Sequence, residues 1–466
     1  MKSFHRILSL FLAVLMISGI AVVSASADTA AEKTSGTFDM HVAFSTDTKT
    51  DKYFYCDDYF TQSGKASDEH LRTMSAAVAF TLYGKSENPE AVFGKLPSDI
   101  GFEDITMYDM DKLTKDTMGV VFGKKTIGGN TVVLVALRSD EYDAEWASNF
   151  ISGETGDISG FSTAAALIKS RLDKYLSDNA VTNAKFWVTG YSRGGAVANL
   201  LGKSLNEHTD DYRISDDDIY VYTFDAPRSS FELTSYANIH NVVDSCDIIP
   251  YVYPEIWGIY NSGVVEPVGS DDETIMTKQF NLFSPDPMDY KEFKTSDFLR
   301  EFADFLGTNL SRETYSRNVA PYISRIAEIY FSLNIEARES FVEFFKAVLT
   351  SVDEDENKLS VLLPLLADGS GQEDIDKVVE FLRSNIDKVA ETSGKPIDDE
   401  SFEYIRSSVE PLVNVLVPVF IADLKGPLPD DADNMSLLYH ILSFSNNIKG
   451  LIKHHYNYKI FDELKA

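Results

Sequence analysis

The spacing of apolar positions changes near residue 285. Before it, short β-branched runs alternate with helical spacing. "TMGVVFG" and "TVVLVALR" flank the turn signal "IGGN". "GFSTAAALIKSRLDKYL" predicts a helix, "KFWVTG" a buried strand, "RGGAVANLLGKSL" a second helix, and "DIYVYTF" and "IHNVV" further strands. Strands that alternate with helices predict an α/β fold, a mostly parallel sheet with helices packed on it. Beyond residue 285 apolar side chains recur three and four apart, as in Phe298, Phe302, Phe305 and Leu306, or Phe341, Phe344, Phe345, Val348 and Leu349. That is the stripe of an amphipathic helix.

This change of texture divides the chain. Residues 1–27 begin with Lys2 and Arg6, continue through an apolar run from Ile7 to Val23 and end in Ala25-Ser26-Ala27, the pattern of a cleaved secretory signal peptide. The expected location is therefore outside the cell. Residues 28–285 read as the α/β body, 286–439 as a helical addition punctuated by "ADGSGQED" and "KGPLPDD", and 440–466 as a return of the chain to the body. With 466 residues and 44% hydrophobic composition, a large core can be buried.

A formal net charge of −31, made more negative by removal of the leader, argues against nucleic acid and anionic membranes as partners. The runs "SDDD" and "VDEDE" read as solvated faces rather than metal sites. Cys56 and Cys246 are the two cysteines, and an exported chain can either bond them or leave both reduced.

Against this background one serine stands out. In "FWVTGYSRGGAVANLLG", Gly190-Tyr191-Ser192-Arg193-Gly194 is a GxSxG between a predicted strand and a predicted helix, the context of a nucleophile elbow. So tight a turn holds the hydroxyl out over the carboxyl edge of the sheet, and side chains two before and two after it would collide with backbone. The amide of Arg193, at the start of the helix, can donate to an oxyanion.

A serine needs a base to take its proton and an acid to orient that base. His5 falls in the leader, and His41, His70, His208 and His240 sit in patterns that read as structural or exposed. The remaining imidazoles are late in the chain, in accord with the order Ser, Asp, His. His455 in "LIKHHYNYKIF" is favoured as base, with His454 and His440 as alternatives. For the acid, Asp247 in "VVDSCDIIPYVYP" precedes an apolar Ile-Ile-Pro segment and is favoured. Asp225 in "TFDAPR" is the alternative, or a supporting acceptor, while Asp244 can face solvent.

Four segments together resemble the class 3 lipases, the fungal-type lipases and their bacterial secreted relatives. These are "VVLVALRSDEYDAEWASNF", "GYSRGGAVANLL", "YTFDAPR" and "CDIIPYVYP". The resemblance runs over roughly residues 50 to 265 and the last twenty. It implies an α/β-hydrolase fold with nucleophile Ser192 and acid Asp247, and it maps the first oxyanion donor to Asp140, with the Arg193 amide as the second. Ser139 and Asp225 stand where the family has glycine, Asp140 where it has Thr or Ser, and the histidine motif is looser. A helical insertion of this length between acid and base is also a departure.

The function this implies is a secreted serine hydrolase for carboxylic esters, lipid acyl esters above all, needing no metal or cofactor. The helical addition would form a cap or lid that touches a lipid interface transiently, with no stable membrane anchor. The alternative is a secreted binding or scaffold protein that keeps the fold and has lost activity.

Overall fold

The computed structural model describes residues 33–43, 45, 47–84, 86, 88–110, 114, 116–139, 148–150, 157–269, 295–333, 380, 398–424 and 453–465. The leader, Asp140, the "VDEDE" run, Phe341 to Leu349 and His440 lie outside them.

Strands β1 (Lys33–His41) and β2 (Thr48–Cys56) pair antiparallel in a small sheet of their own. The main sheet has seven strands, β3 (Glu103–Tyr108), β4 (Val120–Ile127), β5 (Asn130–Leu137), β6 (Ala184–Tyr191), β7 (Ile219–Phe224), β8 (Ile239–Asp244) and β9 (Val264–Val268), lying side by side in chain order. β3, β4 and β5 are antiparallel, the last two joined across Gly128-Gly129, and every pairing from β5 to β9 is parallel. The fold is thus α/β, a mostly parallel sheet flanked by helices.

Alternation along each strand decides which layer it feeds. On β5, Val132, Leu134 and Ala136 enter a core shared with helix α1 (Glu69–Thr81). Val133, Val135 and Leu137 enter a second core with helices α2 (Ser159–Asp178) and α3 (Arg193–Glu207). Both faces are covered, so β5 and β6 read as nearly continuous apolar runs. Trp187 of β6 fixes α1 in place. Its indole donates to Ser75 Oγ at 2.8 Å, and Thr189 Oγ1 donates to the Ser75 carbonyl at 3.0 Å.

The helical addition is described in four helices, α4 (Thr295–Asn309), α5 (Arg312–Asn318), α6 (Ala320–Ser332) and α7 (Asp399–Leu424). Leu310, Tyr315, Val319, Ala320 and Val419 join the second core, while Ile329, Phe402 and Ile405 form a cluster of their own. The Trp257 indole donates to the carbonyls of Gly307 at 3.2 Å and Leu310 at 2.8 Å. No helix among the described residues is long and apolar enough to cross a membrane.

The tail returns as helix α8 (Asn457–Lys465), whose Ile460, Phe461 and Leu464 enter the first core beside α1. Asn457 pins it to the small sheet, donating to the His41 carbonyl at 2.8 Å and accepting from the Ala43 amide at 3.1 Å.

Candidate active site

Ser192 sits between the last residue of β6 and the first of α3, with φ 51° and ψ −122°. A non-glycine residue held there costs on the order of 1–3 kcal/mol and persists only where its surroundings enforce it. They do so here through two main-chain bonds: the Ser192 amide donates to the Phe224 carbonyl at 2.8 Å, and the Ala196 amide donates to the Ser192 carbonyl at 3.0 Å. A Cβ on Gly190 would lie 2.3 Å from the Gly194 carbonyl oxygen, and one on Gly194 would lie 2.9 Å from Ser139 Oγ. Both glycines are therefore demanded by close approach. The half-buried serine is left over the carboxyl edge of the sheet at the N-terminus of α3.

Two groups distant in sequence converge on this hydroxyl. His455 Nε2 lies 2.8 Å from Ser192 Oγ, and His455 Nδ1 lies 2.6 Å from Asp247 Oδ2. A carboxylate accepts, so Nδ1 carries the proton and Nε2 is left to accept from the serine. The second oxygen of Asp247 accepts the Ile249 amide at 2.9 Å. Asp247 is fully buried and His455 is 1% exposed. Burial raises the Asp247 carboxyl above the ordinary range, opposed by the charge and hydrogen bond of His455 and by the Ile249 amide.

The other candidates occupy different places. His454 turns to Asp244, with Nδ1 3.1 Å from Oδ2. Asp244 does not face solvent as its sequence context suggested: it is 2% exposed, and its Oδ1 accepts the Cys246 amide at 2.9 Å. The turn after β8 folds back on the tail and closes over it. Asp225, immediately after β7, is fully buried and accepts the Asp244 amide at 2.8 Å through Oδ1. His240 is tied into a structural network, Nδ1 to Glu266 at 2.8 Å and Nε2 to the Gly64 carbonyl at 3.0 Å. Cys56 and Cys246 are buried and not bonded to each other.

Three supporting side chains escape a motif search. The Tyr191 hydroxyl donates to the His455 main-chain carbonyl, and its ring stacks on the imidazole with centroids 5.1 Å apart. Ser139 Oγ donates to the Tyr191 carbonyl and accepts the Gly194 amide at 2.8 Å, so the hydroxyl that replaces a glycine ties the end of β5 to the elbow. The Arg193 guanidinium donates to Ser148 Oγ at 2.8 Å, Asn149 Oδ1 at 2.7 Å and the Gly160 carbonyl at 3.2 Å. Its job is to anchor the segment that leads into α2. The elbow motif includes Tyr191 and Arg193 only by adjacency to Ser192 and does not include Ser139; nothing local signals their partners.

The site is acidic and dry. Asp244, Cys246 and His454 bring donor atoms within 4.8 Å of one another, as do Asp225, Asp247 and His455. The imidazole–carboxylate bonds within each set mark them as hydrogen-bonded clusters rather than metal ligands.

Residues 135–256 match the family model described as Lipase (class 3), a span that runs from within β5 through the elbow to beyond Asp247. No curated protein matches the chain. Among solved structures the chain is similar to lipase II from Rhizopus niveus, at 18% identity and TM-score 0.33, over 43% of this chain and 80% of that one. It is likewise similar to the Rhizomucor miehei triacylglyceride lipase, at 17% identity and TM-score 0.32, over 44% of this chain and 82% of that one. The segment that carries the serine elbow thus matches the class 3 lipases, and that match supports carboxylic ester hydrolysis by this protein.

Proposed function

We propose that Ser192, His455 and Asp247 are nucleophile, base and orienting acid in the hydrolysis of lipid acyl esters outside the cell. The observation that carries this reading is the 2.8 Å separation of Ser192 Oγ and His455 Nε2, with Asp247 at 2.6 Å on the far side of the ring.

In this mechanism His455 takes the hydroxyl proton as Oγ attacks the ester carbonyl, and Asp247 stabilises the imidazolium that forms. The amide of Arg193 donates to the developing oxyanion, and Asp140, the other donor that the resemblance implies, lies outside the described residues. The imidazolium then gives its proton to the leaving alcohol, and a water activated by the same base releases the acid. Val252 and Ile256, 38% and 57% exposed, set apolar side chains on the surface soon after Asp247 and support transient contact with a lipid interface. Secretion rests on the pattern of residues 1–27.

The test is reaction with a fluorophosphonate, together with hydrolysis of short and long p-nitrophenyl esters, for the protein and Ser192→Ala. Labelling and turnover that vanish with the serine are expected, with preference for the longer acyl chain. A protein that folds, is not labelled and turns over no ester would instead be a binding protein on a hydrolase scaffold.

A further inference from the structure

Asp225 is an expensive residue where it stands. Its φ is +44°, a region that favours glycine, and its side chain is fully buried. Oδ1 accepts the Asp244 amide, but Oδ2, equally buried, has no hydrogen-bond partner among the described residues. Asp225 also offers an oxygen within 4.8 Å of the Asp247 carboxylate and the His455 imidazole.

The groups around it can be counted by element. The end of β8 and its turn supply Asp244, Cys246 and Asp247; the tail supplies His454 and His455; the elbow supplies Ser192 and the Tyr191 hydroxyl, which is committed to the His455 carbonyl. Two imidazoles thus face three buried carboxyl groups. Asp247 has His455 and an amide, and Asp244 has His454 and an amide, whereas Asp225 has an amide alone. Like charges at this separation in a dry site do not all ionise, and the least solvated keeps its proton. Burial, then Asp247 and Asp244, accordingly push the Asp225 carboxyl well above the ordinary range.

We propose that Asp225 is a neutral carboxylic acid whose proton is directed at the Asp247 carboxylate, a positioning residue that adds a fourth member to the Ser192–His455–Asp247 array. It builds on the catalytic reading given above. The proton stays on Asp225 throughout the cycle; its effect is to orient Asp247 and draw charge from it, leaving His455 less basic than a bare carboxylate would.

The test compares kcat/KM against pH for the full chain, Asp225→Asn and Asp225→Gly, with a p-nitrophenyl ester. The asparagine amide keeps a donor beside Asp247, so its acidic limb should follow that of the parent. Glycine suits the backbone and removes the donor, so its acidic limb should move up by about half to one pH unit. A downward move in both variants would mean that Asp225 is an anion, and three coincident profiles would mean that it only packs; either overturns the proposal. Infrared difference spectra of the parent against Asp225→Asn at neutral pH should contain the band of an un-ionised carboxylic acid, and its absence overturns the assignment even if glycine prevents folding. That spectrum is independent of turnover, so an inactive parent would defeat the catalytic reading and still leave the Asp225 proton decided.

Discussion

Tyr191 and His455 hold each other twice, through the phenol hydroxyl on the His455 carbonyl and through stacked rings 5.1 Å apart. Tyr191 is the residue before the proposed nucleophile, so one strand end fixes both serine and imidazole. Tyr191→Phe keeps the stack and loses a buried hydrogen bond worth roughly 1 kcal/mol. The expected result is kcat lower by about three- to tenfold with KM unchanged, and a much larger loss in Tyr191→Ala. Equal kcat in all three proteins would deny Tyr191 any hold on the imidazole.

The neighbouring imidazoles should separate cleanly under mutation. His455→Ala and Asp247→Asn are each expected to lower kcat by about 10³–10⁴, with loss of fluorophosphonate labelling in the histidine variant. His454→Ala leaves Asp244 buried without its imidazole, a loss that costs on the order of 3 kcal/mol of stability. It should still be labelled at Ser192 in its folded fraction. If His454→Ala abolishes labelling while His455→Ala does not, the assignment of the two is reversed.

Glu266 links β9 to β8 and α1, with His240 Nδ1 at 2.8 Å from Oε1 and Arg72 Nη1 at 3.2 Å from Oε2. Burial works to raise its carboxyl, but hydrogen bonds from His240 and Ser67, the His240 charge and the hydrogen bond from Arg72 outweigh it and bring it down to about 2. A carboxyl lowered by folding stabilises above its unfolded value near 4.5, and that contribution is lost as pH falls from there through about 2. Denaturation of the parent and Glu266→Gln at several pH values should give a gap on the order of 3 kcal/mol at pH 7 that closes across this window. A gap independent of pH would mean that the network acts by shape alone.

How much of this the residues disclose depends on how local the physics is. The elbow is legible because its turn, its two crowded glycines and the helix that follows lie in one short stretch around Ser192. The strands from β4 to β8 are legible because burial on both faces leaves apolar runs. β1, with the sequence KTSGTFDMH, and β9, with VVEPV, carry no such run: the first is polar on one face, and the second is an edge strand that tolerates Pro267. The split of His454 and His455 between Asp244 and Asp247 depends on the angle at which the tail meets the turn after β8, and spacing in sequence does not encode that angle. Asp244 looked solvent-facing for the same reason: what buries it comes from 210 residues away.

Trp257 is where the described helical addition grips the hydrolase body. Its indole is shared between the Gly307 and Leu310 carbonyls at the end of α4, and its ring lies 4.9 Å from that of Tyr315 in α5. Tyr315 in turn packs on Tyr253 of the body and donates to the Phe150 carbonyl at 3.2 Å. Removing the indole strands two helix-end carbonyls and opens a gap beside Tyr315, so Trp257→Ala should cost roughly 2–3 kcal/mol. Because β4 to β6 pack around their own cores, that loss should fall on the attachment of α4 and α5. Amide exchange is expected to quicken across residues 295–318 and to stay slow in the central strands, with Trp257→Phe intermediate. Acceleration spread evenly over the sheet would mean instead that the helices and the body unfold as one cooperative unit.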